Sequence, residues 1–489
     1  MDLSSINEFL GSKTILITGA TGFIAKILLD KILRVQPNVK KIYLLIRARD
    51  ANGANTRLQD EVLGKELFNV LREKMGPNFE RLISDKITPV AGDTSYENFG
   101  LTAGQLTEMN EDIDIVINVA ATTKFDERYD VALGVNTFGA KHVVNFAKKC
   151  ANIQLLIHVS TAYVCGEKRG LISEKPTAMG ETLNGATGLD IGSEMKLAEQ
   201  TLMDLKAREV PEKEIRRTMK ILGSQRAKLY GWPNTYVFTK AMGEMHVAQL
   251  RGNLPVIIMR PTIVCSTLKE PFPGWVEGCR TLDSVAVAYG KGSLKLFLAD
   301  GTSVLDLIPA DMFVNAMIVA MKSHVNQPYL TIYQVGSSYR NPITFKEVHG
   351  TLYRYFTKNP WSNREGIPVK IAEGLVLNNI LIFQIIIMVW QFLVQMILIL
   401  VRRMAGGSNI QRSLFNLDKK LNIVTRLVDL YKPYLFFKGV FVDANTEKLL
   451  ITARDNGLNE DIFNFDPLSI NWNDYFINVH LPSIVKYLF

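Results

Sequence analysis

A tyrosine and a lysine four residues apart, Tyr236 and Lys240, are the side chains best suited to acid–base chemistry. Asn234 or Thr235 can cap a helix that begins near Tyr236, and residues at this spacing share one helix face. Tyrosine ordinarily has a pKa of about 10, and a neighbouring ammonium favours the phenolate and so lowers that pKa. The pair could therefore exchange a proton with a substrate oxygen near neutral pH.

Two hydroxyl side chains, Ser160 and Thr161, follow an apolar stretch, Leu155–Val159, that is typical of a buried strand. A hydroxyl at this strand end could orient a carbonyl oxygen while Tyr236 gives or takes the proton and Lys240 tunes Tyr236. We therefore predict that these four side chains are catalytic and act on a carbonyl group.

A glycine motif near the start of the chain provides a site for the cofactor that such chemistry needs. The stretch Thr14–Thr18 predicts a buried strand, and Phe23–Leu33 predicts the helix that follows it. Between them, Gly19 allows a sharp turn, and Gly22 lets a pyrophosphate approach the backbone. Ala25 keeps the helix close to the sheet. The helix N-terminus can then bind the phosphates, so the motif predicts a dinucleotide.

Basic residues after the second predicted strand indicate which dinucleotide binds. Arg47 follows the predicted strand Lys41–Ile46, and Arg49 is the second choice. An acidic residue at this position would favour NAD, whereas an arginine favours the 2′-phosphate of NADP. We therefore expect NADPH, with Lys240 at the nicotinamide ribose and Asp93 at the adenine edge. The predicted cofactor-binding residues are Thr18, Gly19, Thr21, Gly22, Phe23, Ile24, Arg47, Arg49, Asp93, Val119, Ala120, Lys240, Pro261 and Thr262.

Strands and helices alternate regularly through the first half of the chain, which predicts an α/β fold with a doubly wound parallel sheet of the Rossmann type. Further strands are expected at Ile87–Ala91, Ile113–Val119 and Pro255–Arg260, and helices at 55–75 and Tyr129–Cys150. The expected domains are a cofactor domain at 1–265 with an insertion at 171–233, a smaller substrate region at 266–370, a hydrophobic segment at 371–403, and a mainly helical C-terminal domain at 404–489.

Composition narrows the class of protein further. The 489 residues carry a net charge of +8, which suits a polyanionic ligand or an anionic membrane surface. The sequence has no arginine-rich run of the kind that would indicate nucleic-acid binding. The four cysteines lack metal-ligand spacing, so we expect reduced thiols, no disulfide and no metal site. Cys165 lies near the catalytic residues, but without an evident basic partner it is expected to pack rather than to act as a nucleophile. Met1–Leu10 lacks the features of a signal peptide.

One long apolar run separates the two halves of the chain. Gly374–Val401 contains no charged residue and ends at Arg402-Arg403. The run is long enough to span a bilayer, although Gln384, Gln391 and Gln395 could share one face. We expect a membrane-embedded or interfacial segment, with a buried helix or the wall of an apolar tunnel as the alternative.

Several long motifs resemble those of plant alcohol-forming fatty acyl-CoA reductases, in the extended short-chain dehydrogenase/reductase superfamily. The resemblance covers nearly the whole chain. The motifs are TGATGFIAK at 18–26, NVAATTKFDERYD at 118–130, VSTAYVCGEKRGLI at 159–172, QRAKLYGWPNTYVFTKAMGEM at 225–245, RPTIVCSTLKEPFPGW at 260–275, IPADM at 308–312 and KGVFVDANTEKL at 438–449.

This resemblance implies a two-step reaction in which a fatty acyl-CoA, long-chain or very-long-chain, and two NADPH give a primary alcohol, CoA and two NADP. Tyr236 and Thr161 would stabilise the oxyanion, the hemithioacetal would collapse to an aldehyde, and a second NADPH would reduce it in the same site. A family member would be expected at the cytosolic face of the endoplasmic reticulum membrane, or peripherally in the cytosol. The oligomeric state stays open.

Other functions would use many of the same residues. A sterol or nucleotide-sugar dehydrogenase would share every cofactor residue, but the insertion at 171–233 and the apolar run favour a lipid substrate. A reductase acting on a carrier-protein thioester is a third possibility, and the absence of a carrier domain before Thr14 favours free CoA thioester. A non-catalytic NADP-binding membrane protein is a fourth, against which the intact set of Thr161, Tyr236 and Lys240 argues.

Overall fold

We describe the chain from a computed structural model, which covers residues 6–363, 365–403, 425, 428 and 430–489. The chain forms two compact units. Unit 1 comprises Met1–Cys279, Asp306–Pro342 and Gly439–Phe489, and unit 2 comprises Arg280–Leu305 and Ile343–Lys438. Every catalytic or cofactor-binding residue predicted from the sequence lies in unit 1.

A parallel sheet of seven strands, in the order β12-β7-β5-β4-β1-β2-β3, forms the centre of unit 1. Unit 1 also contains the parallel pairs β6–β15 and β8–β11, and unit 2 contains the parallel pair β9–β14 and the antiparallel pair β10–β13. The predicted doubly wound α/β fold is thereby confirmed. The strands are, in chain order, β1 (Thr14–Thr18), β2 (Lys41–Ile46), β3 (Ile87–Ala91), β4 (Ile115–Asn118), β5 (Leu155–Val159), β6 (Gly170–Ile172), β7 (Val256–Pro261), β8 (Ile263–Cys265), β9 (Leu296–Leu298), β10 (Val304–Leu305), β11 (Leu307–Pro309), β12 (Leu330–Val335), β13 (Ile343–Thr344), β14 (Leu375–Leu377) and β15 (Gly439–Phe441).

Helices connect these strands, and most crossovers of the sheet contain at least one. The α-helices of the described residues are α1 (Ile6–Gly11), α2 (Phe23–Val35), α3 (Ala51–Arg57), α4 (Asn69–Met75), α5 (Phe79–Lys86), α6 (Ala103–Asp112), α7 (Tyr129–Ala132), α8 (Gly139–Ala147), α9 (Ile191–Ala207), α10 (Glu212–Leu229), α11 (Thr235–Leu250), α12 (Thr281–Gly290), α13 (Ala310–His324), α14 (Phe345–Lys358), α15 (Ile380–Arg403), α16 (Ala444–Asp455), α17 (Glu460–Phe463), α18 (Trp472–Asp474) and α19 (Leu481–Leu488).

The central strands are buried along their whole length. Every residue of β1, β4, β5 and β7 is buried, as expected for a parallel sheet covered by helices. Leu16, Val116 and Leu156 from three adjacent strands share one core cluster with Val143 and Val144 of α8. This packing holds the carboxyl ends of the strands at one edge of the sheet, which is where ligands bind in open α/β folds.

Several element boundaries differ from the sequence-based expectation. The helix expected at 55–75 is broken into α3, a π-helical turn at Leu58–Leu63 and α4, and the helix expected at Tyr129–Cys150 contains a π-helical segment at Leu133–Phe138. The strand expected at Ile113–Val119 is shorter in the structure, where it is β4 (Ile115–Asn118).

At the C-terminal end, residues 439–489 belong to the same compact unit as the sheet and are mostly helical. Residues 404–424, where the predicted C-terminal domain begins, lie outside the described part of the chain. The functional boundaries that we predicted at 265, 370 and 403 stay predictions.

Candidate active site

The turn after β1 approaches the backbone after β4 more closely than a side chain would allow. Gly19 has a φ of +68°, and a Cβ atom there would lie 2.7 Å from the backbone nitrogen of Ala120. Ala120 follows Val119 after β4, and its amide donates to the Thr18 hydroxyl at 3.2 Å. The structure thus brings together four of the predicted cofactor-binding residues at adjacent strand ends.

Helix α2 begins directly at this turn and presents its amino end. Gly22 is the N-cap residue, makes no side-chain cap, and donates its N–H to the Gly19 carbonyl at 2.8 Å. No acidic residue lies in the first turn, which starts with Phe23 and Ile24 after Thr21. Backbone N–H groups and the helix dipole therefore favour an anion here, so the residues present fit a dinucleotide pyrophosphate.

The predicted 2′-phosphate and adenine residues lie at the ends of the next strands. Leu45 of β2 is the register partner of Thr18, so Arg47 and Arg49, both exposed, come just beyond the glycine turn. Asp93 follows β3, and its Oδ1 accepts from both the backbone amide and the hydroxyl of Ser95 at 2.9 Å. Asp93 thus stabilises its own turn, a contact that the sequence did not indicate.

Helix α11 carries the predicted acid–base pair. Asn234 caps it by accepting from the Val237 amide at 3.1 Å. Tyr236 is half-buried in the first turn, and Lys240, one turn later on the same face, is 1% exposed. Burial lowers the pKa of Lys240 to about 8, and the nearby carboxylate of Glu244 acts in the opposite direction.

Two hydrogen bonds hold the end of β5 against α11. Lys240 Nζ donates to the Val159 carbonyl at 2.6 Å, and Trp232 Nε1 donates to the Val164 carbonyl at 2.9 Å. Ser160 and Thr161 lie between these two contacts, and both side chains are buried. Both predicted hydroxyls therefore follow directly on the residue whose carbonyl accepts from Lys240.

Each hydroxyl has a different environment. Thr161 Oγ1 accepts from the Tyr163 amide at 3.3 Å, while Ser160 Oγ is buried and has no hydrogen-bond partner among the described residues.

The last two predicted cofactor-binding residues, Pro261 and Thr262, lie at the end of the neighbouring strand β7. Pro261 ends β7, and Thr262 donates its backbone N–H to the Val335 carbonyl at 3.1 Å.

A polar ladder that the sequence did not predict connects the glycine turn to β5. Thr18, Asn118 and His158 are register partners on three adjacent strands. Thr18 donates its hydroxyl to Asn118 Oδ1 at 2.7 Å, and Asn118 Nδ2 donates to His158 Nδ1 at 3.0 Å. Burial lowers the pKa of His158 far below its ordinary value, so it stays neutral. The ladder fixes the relative height of the strand ends that carry the site.

A buried ion pair lies one helical turn beyond Lys240. Glu244 of α11 pairs with Arg260 of β7, whose Nε donates to Glu244 Oε1 at 3.0 Å, and both side chains are at most 4% exposed. Tyr236, Lys240 and Glu244 follow one another at four-residue spacing, so all three project from one face of α11. The spacing was visible in the sequence, but the partner on a distant strand was not.

The loop after β4 covers Tyr236. The Phe125 ring stacks on the Tyr236 ring with centroids 6.0 Å apart and an interplanar angle of 18°. Asn136 clamps this loop, because its side chain accepts from the Thr122 amide at 3.0 Å and donates to the Thr122 carbonyl at 3.1 Å. The same Asn136 amide donates to Thr239 of α11 at 3.0 Å. The loop and α11 are thereby joined.

The insertion at 171–233 is anchored beside α11 by buried Glu194. Its carboxylate accepts from Tyr129 at 2.6 Å, from Arg226 Nε at 2.9 Å and from Tyr230 at 3.3 Å. The rings of Tyr129 and Tyr230 also pack against Phe238 of α11. Helices α9 and α10 are thus connected to the catalytic helix through buried polar and aromatic contacts.

Cysteine and metal chemistry find little support at this site. All four cysteines are free thiols, and Cys150, Cys165 and Cys265 are buried. Burial raises the pKa of the Cys165 thiol to about 12, which disfavours a thiolate nucleophile. Within the described part of the chain, no group of three or more His, Cys, Asp or Glu side chains could hold a metal ion.

The fold resembles solved reductase domains. The terminal reductase domain of the myxalamid PKS-NRPS pathway superposes with a TM-score of 0.57 and 18% identity, covering 97% of this chain and 91% of that domain. The reductase domain of a nonribosomal peptide synthetase from Mycobacterium tuberculosis also gives a TM-score of 0.57, at 15% identity over 100% of this chain and 95% of that domain. These similarities concern the fold alone.

Sequence comparisons extend over the whole chain. An NAD-binding family model described as male sterility protein matches residues 17–317, and a second model with the same description matches 390–489. The alcohol-forming fatty acyl-CoA reductase of Simmondsia chinensis is 50% identical, covering 100% of this chain and 99% of that protein. Fatty acyl-CoA reductase 1 of Arabidopsis thaliana is 51% identical and covers 99% of each. Human fatty acyl-CoA reductase 2 is 29% identical, covering 99% of this chain and 86% of that protein. The resemblance seen in the motifs is confirmed, and the chain belongs to the male sterility protein family of alcohol-forming fatty acyl-CoA reductases.

Proposed function

We propose that this protein is an NADPH-dependent enzyme that reduces fatty acyl-CoA thioesters, long-chain or very-long-chain, to primary alcohols through an aldehyde that stays in the site. The observation that carries the proposal is the hydrogen bond from Lys240 to the Val159 carbonyl. It joins the helix of Tyr236 to the strand end of Thr161, within a sheet whose glycine turn fits a dinucleotide. Relatives about 50% identical over their full length bear the name of this reaction.

We propose a role for Thr161, Tyr236 and Lys240 in both reductions. NADPH at the glycine turn would supply the hydride for each step. Thr161 and Tyr236 would donate hydrogen bonds to the oxygen of the thioester carbonyl, where negative charge develops. The resulting hemithioacetal loses CoA, and Tyr236 then protonates the oxygen of the aldehyde as it is reduced. The ammonium of Lys240 would support the phenolate and contact the nicotinamide ribose.

We further propose that α9 and α10 form a fixed wall of the acyl site rather than a mobile lid. The Glu194 carboxylate of α9 is buried and accepts from the Tyr129 hydroxyl of α7 at 2.6 Å, so moving the two helices away would break this contact and leave buried polar groups unpaired. Residues 266–370 would complete the substrate region. Membrane association at the cytosolic face of the endoplasmic reticulum is also proposed, supported by α15, which is long and apolar enough to cross a bilayer.

Arg47→Ala tests the preference for NADPH over NADH. Loss of a charge-assisted hydrogen bond to the 2′-phosphate should raise the KM for NADPH by about 10- to 100-fold. The KM for NADH should stay within about twofold, and Arg49→Ala should have a smaller effect than Arg47→Ala. Steady-state rates with both cofactors measure this, and an equal rise for NADH and NADPH would remove Arg47 from 2′-phosphate recognition.

Product identity tests the reaction itself. Purified protein is incubated with NADPH and a series of acyl-CoAs of increasing chain length, and products are identified by mass spectrometry. We expect primary alcohols with the chain length of the substrate. Release of fatty acid or of aldehyde alone would contradict the proposed four-electron reduction.

A further inference from the structure

Helix α15 of unit 2 is apolar around most of its circumference, but among the described residues only a narrow stripe of it is buried. The first half of the stripe packs against Leu298 of β9 and against Leu377. Four α15 side chains form the buried stripe and recur at spacings of four and seven: Phe383, Ile387, Val394 and Leu398. At 1.5 Å per residue the stripe is about 22 Å long, so α15 is covered on one side along most of its axis.

The opposite side of α15 is a continuous apolar arc. At 100° per residue, the exposed side chains between Leu381 and Ile399 span about 200° of the helix without a polar residue. Gln384, Gln391 and Gln395 lie together beside the buried stripe, outside this arc. The exposed apolar arc consists of Leu381, Ile382, Ile385, Met388, Val389, Trp390, Phe392, Leu393, Met396, Ile397 and Ile399.

An exposed apolar surface of this size marks a contact with a partner or a membrane. The charge of unit 2 favours a membrane over a protein partner. Unit 2 contains sixteen Lys and Arg against seven Asp and Glu, a net charge of +9, whereas unit 1 contains forty against forty-one. The whole positive excess of the chain therefore belongs to the unit that exposes the apolar arc. Apolar burial combined with basic charge is the combination that binds anionic membrane surfaces.

The arrangement of α15 also bears on how it would enter a bilayer. The buried stripe runs from the first turn to beyond the middle of the helix, and at its start the helix packs on the open pair β9–β14. If α15 crossed the bilayer, residues packed along its length would be drawn into hydrocarbon, where the free backbone groups of an open strand pair are costly. A helix lying flat immerses the arc and keeps its covered side in water.

We propose that α15 lies in the plane of a membrane, with its apolar arc immersed in one leaflet and the basic unit 2 in contact with anionic lipid headgroups. This deepens the membrane association proposed above and rests on it. Because Phe383 and Ile387 belong to the core of unit 2, deleting α15 would disrupt that core, so point substitutions on the arc are the appropriate test.

Vesicle flotation tests the lipid class and the arc. The full chain should bind vesicles of phosphatidylcholine with about one-third phosphatidylserine at least tenfold more strongly than phosphatidylcholine alone, and added salt should weaken that binding. Phe392→Glu should reduce binding by about tenfold or more, while the matched variant Gln384→Glu should change it by less than about twofold. Reduction of long-chain acyl-CoA in solution without vesicles should be unchanged in both variants, which separates this proposal from the proposed reaction.

Depth measurements test the orientation. Leu381, Met388 and Ile399 lie on one line along the helix, so single cysteines at these positions, in a Cys279→Ser chain, can carry a fluorescent label. Quenching by lipids with nitroxides at shallow and deep positions should give equal depths for a helix lying flat. A greater depth at 388 than at 381 and 399 would show a spanning helix and overturn the proposal. The proposal would also be overturned if the protein formed a stable dimer, did not bind vesicles, and became monomeric in the Phe392→Glu variant. The arc would then contact a second copy of the chain.

Discussion

Tyr236→Phe should lower the rate of acyl-CoA reduction by about 10²- to 10⁴-fold while NADPH still binds. The substitution keeps the ring that stacks on Phe125 and removes only the hydroxyl that we propose protonates the substrate oxygen. Initial rates of NADPH oxidation measure the loss, and a fluorescence titration with NADPH measures binding.

The matched control is Tyr96→Phe, which removes the same hydroxyl from an exposed tyrosine of unit 1 and should leave the rate unchanged. Reduction of added fatty aldehyde should fall in Tyr236→Phe as far as reduction of acyl-CoA. Turnover close to that of the unmodified protein on either substrate would exclude Tyr236 as the proton donor for that step.

Glu244→Gln should lower the free energy of unfolding by about 3–5 kcal/mol, because Arg260 would keep its charge in a buried position without a carboxylate. Denaturant unfolding measures this loss. Glu460→Gln is the control, since it breaks an ion pair with Arg454 that is largely exposed and should cost at most about 1 kcal/mol. Equal losses in the two variants would contradict the assigned burial of the Glu244–Arg260 pair.

The double variant Glu244→Gln/Arg260→Gln removes both charges and separates stability from catalysis. Lys240, with a pKa of about 8, loses its ammonium as the pH rises through that value, so activity should fall above it. The Glu244 carboxylate raises the pKa of Lys240, and His158 on β5 is neutral. Without Glu244 the alkaline limb of the rate profile should therefore move to lower pH. An unchanged limb would mean that Glu244 only supports the fold.

Local patterns were sufficient to predict the fold and the strand ends that carry the site. Apolar runs such as Leu155–Val159 predicted the strands, and Gly19 predicted a sharp turn, which agrees with its positive φ. These features depend on residues that are neighbours in sequence. Element boundaries were less predictable where tertiary contacts determine the backbone, as in the π-helical segment around Asn136.

The contacts that position the catalytic groups could not be predicted, because each joins residues far apart in sequence. Asn118 meets His158 forty residues later, and Phe125 stacks on a tyrosine more than a hundred residues away. A polar residue within an apolar strand, such as Asn118, was the only local signal. The buried pair of Glu244 and Arg260 was likewise not predicted, because the sequence does not show that their side chains meet.

We propose that one site, formed by Thr161, Tyr236 and Lys240, carries out both reductions. The most direct measurement is the ratio of NADPH oxidised to alcohol released by the purified protein, with an aldehyde-trapping reagent present. We predict two NADPH for each alcohol, with no trapped aldehyde. A ratio above two, with the excess NADPH oxidation matched by aldehyde recovered in the trap, would contradict a single site that retains the aldehyde.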